Sequence, residues 1–227
     1  MWQACYLLDI EGLKATAVWE ALLDQERLQK YLRINNESVA LQSLGAGLLL
    51  QLAAGEFLGG RESLPTTPMH FLNVASLQER LKAHDTLELT YRYNTYGKPY
   101  FSNIPLYFSL SHSGNQILCA CSEQEIGADL QKVTGIDGKK IAGHYFSKTE
   151  KDYLSGISDE TMAKEEFFRL WTRKEAYGKL MGDGILKVVN VSLLEDPEPL
   201  SWQEGHYITE RGDAYYYSIC EKPNPGV

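Results

Sequence analysis

Two segments of the sequence carry charged and polar residues at spacings that would let their side chains act together. In the segment 171–179, Glu175 and Lys179 are four residues apart, so on a helix they share one face. In the segment 127–131, Asp129 and Gln131 are two residues apart, so on a strand they also share one face. Oxygen ligands beside a lysine are what a site for Mg²⁺ and a polyphosphate requires. Each segment could therefore supply part of such a site.

The pair Glu175 and Lys179 also has a plainer interpretation. A glutamate followed four residues later by a lysine is a common decoration of an exposed helix, where it contributes only about 0.3 to 0.5 kcal/mol. A third polar segment favours the functional interpretation, because Ser111, His112 and Ser113 lead into Gly114 just upstream of the strand segment. Three polar clusters then fall within one continuous region of the chain.

Several short motifs occur in a fixed order along this region. A Gly-Lys-Pro turn at 97–99 comes first, and the Ser-His-Ser-Gly turn at 111–114 follows it. Gly127, Asp129 and Gln131 come next, then an aromatic-Ser-x-x-Glu segment at 145–150, then the Trp-x-x-Lys-Glu-x-x-x-Lys segment at 171–179. Together these motifs resemble the 4′-phosphopantetheinyl transferases of the Sfp type. The resemblance covers residues 96–190 well and the first ninety residues loosely.

The resemblance implies both a fold and an activity. The implied fold is α+β, built from two pseudo-twofold-related α/β halves at 1–108 and 109–227, with a ligand cleft for coenzyme A between them. The implied activity is Mg²⁺-dependent transfer of the 4′-phosphopantetheine arm of coenzyme A to a serine of an apo acyl or peptidyl carrier protein, releasing 3′,5′-ADP. Such enzymes serve fatty acid, polyketide or nonribosomal peptide synthesis.

The resemblance also implies roles for particular residues. The implied metal ligands are Asp129, Gln131 and Glu175. The implied contacts to coenzyme A are Arg27, Lys30, Lys98, Ser111, His112, Lys174 and Lys179. The implied catalytic groups are Glu175, Glu150, Lys179 and His112. Either glutamate, or a Mg²⁺-bound water, could take the proton of the acceptor serine.

Three of these assignments have alternatives. Gln131 stands where the family usually has an acidic residue, so the metal site has one negative charge fewer, and a binding module for coenzyme A or carrier protein without turnover is the second hypothesis. Lys98 could be an ordinary surface lysine, and His112 could simply fasten a turn. An unrelated nucleotide phosphohydrolase is the weakest alternative, because the sequence has no Gly-x-x-x-x-Gly-Lys loop.

Composition narrows the class of partner. The chain has 227 residues, 44% of them hydrophobic, and a formal net charge of −8, which argues against nucleic acid as a partner. The four cysteines lack metal-ligand spacing, so we expect reduced core thiols. No basic region precedes the first apolar stretch, and the apolar run 44–54 is short for a bilayer. We therefore expect a cytoplasmic monomer with no membrane partner.

Hydrophobic periodicity and turn signals predict the secondary structure. A charged helical stretch ends near Arg33, with Thr16 or Asp24 as its cap, and a polar loop contains Pro65 and Pro68. The predicted strands are 2–10, 86–93, 107–110, 116–122, 126–131, 186–193, 205–209 and 214–220. The other predicted helices are 38–57, 71–81, 136–143, 148–154 and 163–180.

Overall fold

The computed structural model describes residues 3–60, 69–196 and 199–223. The strands in these residues are β1 (Gln3–Asp9), β2 (His70–Leu72), β3 (Tyr91–Tyr93), β4 (Pro99–Phe101), β5 (Tyr107–Ser113), β6 (Gln116–Ser122), β7 (Ile126–Lys132), β8 (Ser201–Ile208) and β9 (Ala214–Glu221). The helices are α1 (Ala17–Glu20), α2 (Gln25–Leu32), α3 (Glu37–Leu58), α4 (Val74–Leu81), α5 (Gly138–Tyr145), α6 (Lys148–Ser155), α7 (Glu160–Met181) and α8 (Ile185–Val188). This mixture confirms the α+β class. The predicted loop with Pro65 and Pro68 lies outside the described residues.

The chain forms two compact units. Unit 1 comprises residues 1–94 and 99–123, and unit 2 comprises residues 95–98 and 124–227. The division predicted from the sequence falls at 108/109, whereas the first unit continues to Glu123 because β5 and β6 join the sheet of β1. The pseudo-twofold relation of the two halves stays a prediction.

Unit 1 is a sheet covered by one long helix. The sheet has the order β2-β1-β6-β5, in which β1 pairs with β6 in antiparallel and with β2 in parallel orientation. Helix α3 begins after Asn36, whose side chain accepts a hydrogen bond from the Val39 N–H. Its packing on the sheet is close at Gly45, where a Cβ atom would lie 2.6 Å from the Ile117 side chain. The core of unit 1 therefore lies between α3 and the sheet.

Helix α3 is long enough and apolar enough to cross a membrane. Its apolar window has a mean hydropathy of 1.4, yet 72% of that window is buried inside the protein. A helix that is apolar on all sides and packed on all sides is the expected core helix of a folded domain. Its burial in unit 1 explains its composition without a bilayer.

Two predicted elements of unit 1 were wrong in part. The predicted helix 71–81 begins only at Val74, because Asn73 and Ser76 form a capping box that separates β2 from α4. The predicted strand 86–93 is reduced to β3. The amide of Gln51, buried in α3, donates to the Leu87 carbonyl and accepts from the Leu87 N–H, at 2.7 and 2.9 Å. A side chain therefore takes the backbone groups that a neighbouring strand would have paired.

Unit 2 places a helix across a three-stranded antiparallel sheet. The sheet has the order β7-β9-β8, and the 22-residue helix α7 packs on β7 and β9. Asp159 caps the start of α7, and Gly182 with a φ of 79° ends it. The Thr172 hydroxyl meets the Ser218 hydroxyl at 2.9 Å, which links the middle of α7 to β9. The predicted strand 186–193 is instead helix α8 followed by a loop.

Candidate functional site

The centre of the candidate site is the contact between β7 and α7. A Cβ atom on Gly127 would lie 2.1 Å from the Ala176 carbonyl oxygen and 2.5 Å from the Leu180 nitrogen. Only glycine allows the backbones of strand and helix to approach this closely. Because side chains alternate along a strand, Asp129 and Gln131 extend from the same face of β7 as Gly127, and this face meets α7.

Asp129 is the buried anchor of this contact. Its side chain is 3% exposed, and its Oδ1 accepts a hydrogen bond from the Lys179 Nζ at 2.7 Å. Its other oxygen accepts from the Gln131 Nε2 at 3.3 Å. The predicted convergence of Asp129, Gln131 and Lys179 is therefore present in the structure, although β7 and α7 are far apart in the sequence.

Glu175 has a different environment from Asp129. It is half-buried on α7, and its carboxylate has no hydrogen bond or ion pair to any of the residues that the structure describes. Burial raises the pKa of Glu175, and the nearby charge of Asp129 raises it further, while Lys179 opposes both effects. The surroundings of Glu175 thus disfavour its charged form.

A divalent cation fits this arrangement. Carboxylate oxygens are the preferred ligands of Mg²⁺, and a cation beside Asp129 and Glu175 would favour the charged form of Glu175. In the described part of the chain, no group of three or more His, Cys, Asp and Glu residues is placed to hold a metal. The cluster has two carboxylates, and the third candidate ligand is the amide of Gln131. Its ligand role stays a prediction, since its amide nitrogen points at Asp129 in this structure.

Glu150 and Lys174 form a second ion pair, at the other side of α7. Their side chains are 0% exposed, and the Lys174 Nζ lies 2.9 Å from the Glu150 Oε2. The Lys174 Nζ also donates to the carbonyls of Val188 and Val191, at 3.2 and 2.6 Å. Burial lowers the pKa of the Lys174 ammonium, against the influence of Glu150. All three N–H donors of the ammonium therefore have acceptors within the protein.

Both oxygens of the Glu150 carboxylate also accept hydrogen bonds within the protein. Its Oε2 accepts from the Ser147 N–H at 2.7 Å and from the Ser147 hydroxyl at 2.9 Å, which forms the capping box of α6. Its Oε1 accepts from the Leu193 N–H at 2.9 Å. The pair thereby joins α6, α7 and the loop 188–193.

These contacts correct two assignments made from the sequence. Glu150 was predicted as a catalytic base and Lys174 as a contact to coenzyme A, but neither side chain reaches solvent. A group that must meet a substrate needs an accessible position. The structure gives both residues a role in holding α7 in place. Of the two predicted bases, Glu175 is the one whose side chain is partly open to solvent.

Lys98 also has an unexpected environment. Its Nζ donates to the Ile126 carbonyl and to the Leu180 carbonyl, each at 3.1 Å. The first of these carbonyls begins β7 and the second lies in the last turn of α7. The segment 95–98 belongs to unit 2, although its neighbours along the chain belong to unit 1. The contact of Lys98 with the 3′-phosphate of coenzyme A stays a prediction, and the structure adds two backbone contacts that the sequence did not indicate.

Two predicted phosphate ligands lie together on α2 in unit 1. Asp24 caps this helix and accepts from the Arg27 N–H at 2.9 Å and from the Tyr91 hydroxyl at 2.8 Å. The guanidinium carbon of Arg27 lies 5.3 Å from the centre of the Tyr91 ring. Partial burial and the charge of Arg27 lower the pKa of Lys30, one turn further along. Two neighbouring cations on one helix suit an anion, so their phosphate role stays a reasonable prediction.

Ser111 and His112 lie in β5 and not in a turn. The strand continues to Ser113, and the turn follows at Gly114, which has a φ of 56°. Ser111 is buried and His112 is exposed, because neighbouring residues of a strand extend to opposite faces. His112 pairs across the strands with Ile117, and Ser111 with Leu118. Their roles at the pyrophosphate stay predictions.

Sequence reasoning missed the packing roles of four positions that shape the site. Lys98 and Lys174 looked like phosphate ligands because their sequence neighbours belong to polar motifs, and nothing in those motifs indicates burial. Thr172 contributes a signal for close packing of the helix on a strand, because it is a small hydroxyl residue one turn before Glu175. Gly127 was noted only as part of a motif, and its close approach to α7 explains why the motif needs it.

Comparison with known proteins agrees with this geometry. Residues 125–220 match the model of the 4′-phosphopantetheinyl transferase superfamily. The chain is similar to the 4′-phosphopantetheinyl transferase Sfp of Bacillus subtilis, with 36% identity over 49% of this chain and 50% of the relative. It is similar to HetI of a Nostoc species, with 37% identity over 51% and 52%, and to gsp of Aneurinibacillus migulanus, with 35% identity over 45% and 42%.

The similarity is confined to part of each protein, since the chain spans about half the length of the curated relatives it matches. The matched residues 125–220 contain both β7 and α7, and so Asp129, Gln131, Glu175 and Lys179. The similarity to the 4′-phosphopantetheinyl transferase superfamily thus lies in this segment, which is less than half of the chain.

Proposed function

We propose that this protein transfers the 4′-phosphopantetheine arm of coenzyme A to a serine of an apo acyl or peptidyl carrier protein. The observation that carries the proposal is the meeting of Asp129, Glu175 and Lys179 at the contact of β7 and α7, within the segment that matches the family. Two carboxylates and an ammonium at the edge of a close helix-strand contact suit a diphosphate held by a divalent cation.

The proposed reaction forms one bond and breaks one. The acceptor serine oxygen attacks the β-phosphorus of coenzyme A, and the bond from that phosphorus to the oxygen bridging the α-phosphorus breaks. The bridging oxygen leaves with the electron pair as part of 3′,5′-ADP. The serine proton passes to the Glu175 carboxylate, directly or through a water beside it, because Glu175 is the predicted base whose side chain is partly open to solvent.

The other residues of the cluster act by charge and position. Mg²⁺, held by Asp129 and Glu175, would supply Lewis-acid stabilisation of the charge that develops on the phosphate oxygens. Lys179, whose side chain is 30% exposed, places a positive charge beside Asp129 where a phosphate oxygen could reach it. Positioning and charge neutralisation account for most of the catalysis expected in phosphoryl transfer.

The partners follow from this activity. We propose coenzyme A as co-substrate, Mg²⁺ as cofactor and a cytoplasmic carrier protein as acceptor, with the enzyme acting as a monomer. Arg27 and Lys30 on α2 are the proposed contacts for the 3′-phosphate, because they lie one turn apart and the charge of Arg27, together with burial, lowers the pKa of Lys30.

The direct test is a mass measurement. The purified chain is incubated with coenzyme A, Mg²⁺ and several apo carriers of fatty acid, polyketide and peptide synthesis, and each carrier is weighed for an added arm. The expected result is addition to at least one carrier, and its loss in Asp129→Ala. Glu166→Ala, at a partly exposed carboxylate of α7 that pairs with Arg169, is the matched control and should keep the activity.

One observation favours a second candidate. Gln131 supplies an amide where a carboxylate would complete three acidic ligands, so the chain could bind coenzyme A or a carrier without turnover. This candidate predicts binding of coenzyme A by calorimetry with no mass added to any carrier at saturating Mg²⁺. Addition of the arm by the unaltered chain would exclude it.

A further inference from the structure

Lys98 occupies a position from which it can set the distance between β7 and α7. Its ammonium bridges the carbonyl of Ile126, the first residue of β7, and the carbonyl of Leu180, in the last turn of α7. Each hydrogen bond is 3.1 Å long. One side chain therefore joins the strand and the helix that carry the proposed metal ligands.

The bridge lies directly beside the closest contact of the two elements. Ile126 precedes Gly127, and a Cβ atom on Gly127 would come within 2.5 Å of the nitrogen of Leu180. Asp129 follows two residues later on the same face of β7, and Lys179 directly precedes Leu180 on α7. A change in the separation of strand and helix at Leu180 would thus move Asp129 away from Glu175 and Lys179.

The chemistry of the helix end explains why a cation is suited to this place. The last carbonyls of a helix have no partner within the helix, and they carry the negative end of its dipole. The Gly178 carbonyl is satisfied by the N–H groups of Gly182 and Gly184, whereas the Leu180 carbonyl accepts from Lys98. An ammonium with three N–H groups can serve both the helix end and the strand at once.

The segment that carries Lys98 is itself fixed to unit 2. Gly97 has a φ of 88°, a conformation that favours glycine, and it turns the chain so that Lys98 reaches the two carbonyls. The Lys187 ammonium lies 6.0 Å from the centre of the Tyr96 ring, which links the segment to α8. Burial lowers the pKa of Lys98, as expected for an ammonium held mainly by backbone carbonyls.

We propose that Lys98 is a positioning residue for the metal site, which holds the start of β7 against the last turn of α7 so that Asp129 and Glu175 stay close enough to share one divalent cation. This inference rests on the proposed function for its kinetic consequences. Its structural consequence, a firmly held last turn of α7, is independent of any activity.

The experiment compares Lys98→Met with Lys222→Met. Lys222 is the matched control, because it is an exposed lysine that pairs with Glu125, next to the same strand end. For Lys98→Met we expect a kcat about tenfold lower and a several-fold higher Mg²⁺ concentration at half-maximal rate, since a site misplaced by a fraction of an ångström loses catalysis on the order of ten- to a hundredfold. For Lys222→Met we expect both values to stay within twofold of the unaltered chain.

A comparison of two substrates distinguishes a positioning role of Lys98 from a role in binding the 3′-phosphate. Coenzyme A and 3′-dephospho-coenzyme A are compared for the unaltered chain and for Lys98→Met. A positioning residue lowers kcat by the same factor with both substrates. If the loss were confined to a higher KM for coenzyme A, and 3′-dephospho-coenzyme A were unaffected, Lys98 would be a ligand of the 3′-phosphate and the proposal would be overturned.

Measurements that need no catalysis test the positioning role of Lys98 separately from the proposed transferase activity. Hydrogen exchange of the amides at 178–184 should be about tenfold faster in Lys98→Met than in the unaltered chain, and Mg²⁺ binding by calorimetry should be weaker. Lys98→Gln keeps N–H donors but has no charge, so its exchange rate and Mg²⁺ affinity should lie between those of the unaltered chain and of Lys98→Met. This variant is used in place of Lys98→Met if Lys98→Met does not fold. Unchanged exchange and unchanged Mg²⁺ binding would overturn the proposal, even if the unaltered chain proved to lack transferase activity.

Discussion

Helix α7 carries two lysine-carboxylate pairs in opposite environments. The pair of Lys174 and Glu150 is fully buried, and every donor and acceptor has a partner within the protein. The cluster of Lys179, Asp129 and Glu175 is partly open, and the Glu175 carboxylate lacks a partner among the described residues. Residue types alone would assign both sets to the same chemistry, but only the open set has capacity left for a ligand.

The two sets of residues depend on each other. Lys174 and Glu175 are adjacent on α7, so the rotation of the helix that buries one presents the other to β7. The buried pair fixes that rotation through α6 and the loop 188–193. We expect substitutions of Lys174 and Glu150 to change stability, and substitutions in the cluster of Asp129, Glu175 and Lys179 to change activity.

The largest effect is expected for Lys174→Met. Removing the ammonium leaves the Glu150 charge buried without a cation, so the free energy of unfolding should fall by about 3 to 5 kcal/mol. Urea unfolding of the full chain measures it. The double variant Lys174→Met/Glu150→Leu should regain only part of this loss, because it removes the unpaired charge but leaves the Val191 carbonyl and the Leu193 N–H without their partners. A single variant as stable as the unaltered chain would contradict the structural role.

The next largest effect is expected for Glu175→Gln. It removes a carboxylate with little change of shape, so kcat should fall by about a hundredfold, which corresponds to about 3 kcal/mol of transition-state stabilisation. The free energy of unfolding should change little or rise slightly, because the variant removes a half-buried charge close to Asp129. Carrier mass and urea unfolding are measured on the same sample. Loss of folding in place of activity would mean that the open cluster is structural too.

A smaller effect, of opposite sign, is expected for Gln131→Glu. A carboxylate at this position adds a third negative ligand, so Mg²⁺ binding should tighten several-fold, or by about 1 kcal/mol. Titration of the rate with Mg²⁺ measures it. Gln131→Met, which removes both amide groups, is the control and should weaken binding. An unchanged Mg²⁺ requirement in both variants would remove Gln131 from the metal site.

The smallest effect is expected at the partly exposed pair of Glu166 and Arg169 on the same helix. Although burial opposes it, the hydrogen bonds and charge of Arg169 lower the pKa of Glu166. A lowered folded-state pKa contributes stability above the ordinary glutamate pKa, and this contribution is lost as the pH falls through the folded value. Glu166→Gln should therefore cost about 0.3 to 0.5 kcal/mol at neutral pH and nothing in acid. Unfolding curves at two pH values test this, and a cost that persisted in acid would contradict it.

Much of the site could be predicted because local spacing and local structure agree there. The spacing of Asp129 and Gln131 and of Glu175 and Lys179 requires only a strand and a helix, and the predicted bounds 126–131 and 163–180 lie inside β7 and α7. That the two elements meet was an inference from the resemblance, since no periodicity reports contacts between distant segments.

The failures share a physical cause. The segments 86–93 and 186–193 were predicted as strands, but buried side chains of distant helices take their backbone groups, Gln51 in the first case and Lys174 with Glu150 in the second. The burial of Lys174 was equally hidden, because a charged residue within a polar motif looks exposed until its partners are known. Long-range polar contacts of single side chains leave no pattern in the sequence.

The assignment of residues 95–98 to unit 2 has a consequence for dissecting the molecule. A fragment cut at the family boundary near residue 125 would keep every proposed metal ligand but would lack the lysine that bridges Ile126 and Leu180. We expect the last turn of α7 in such a fragment to be stable only when residues 95–98 are added as a separate peptide or fused through a linker. The segment recognisable by homology is therefore smaller than the segment that folds as one piece.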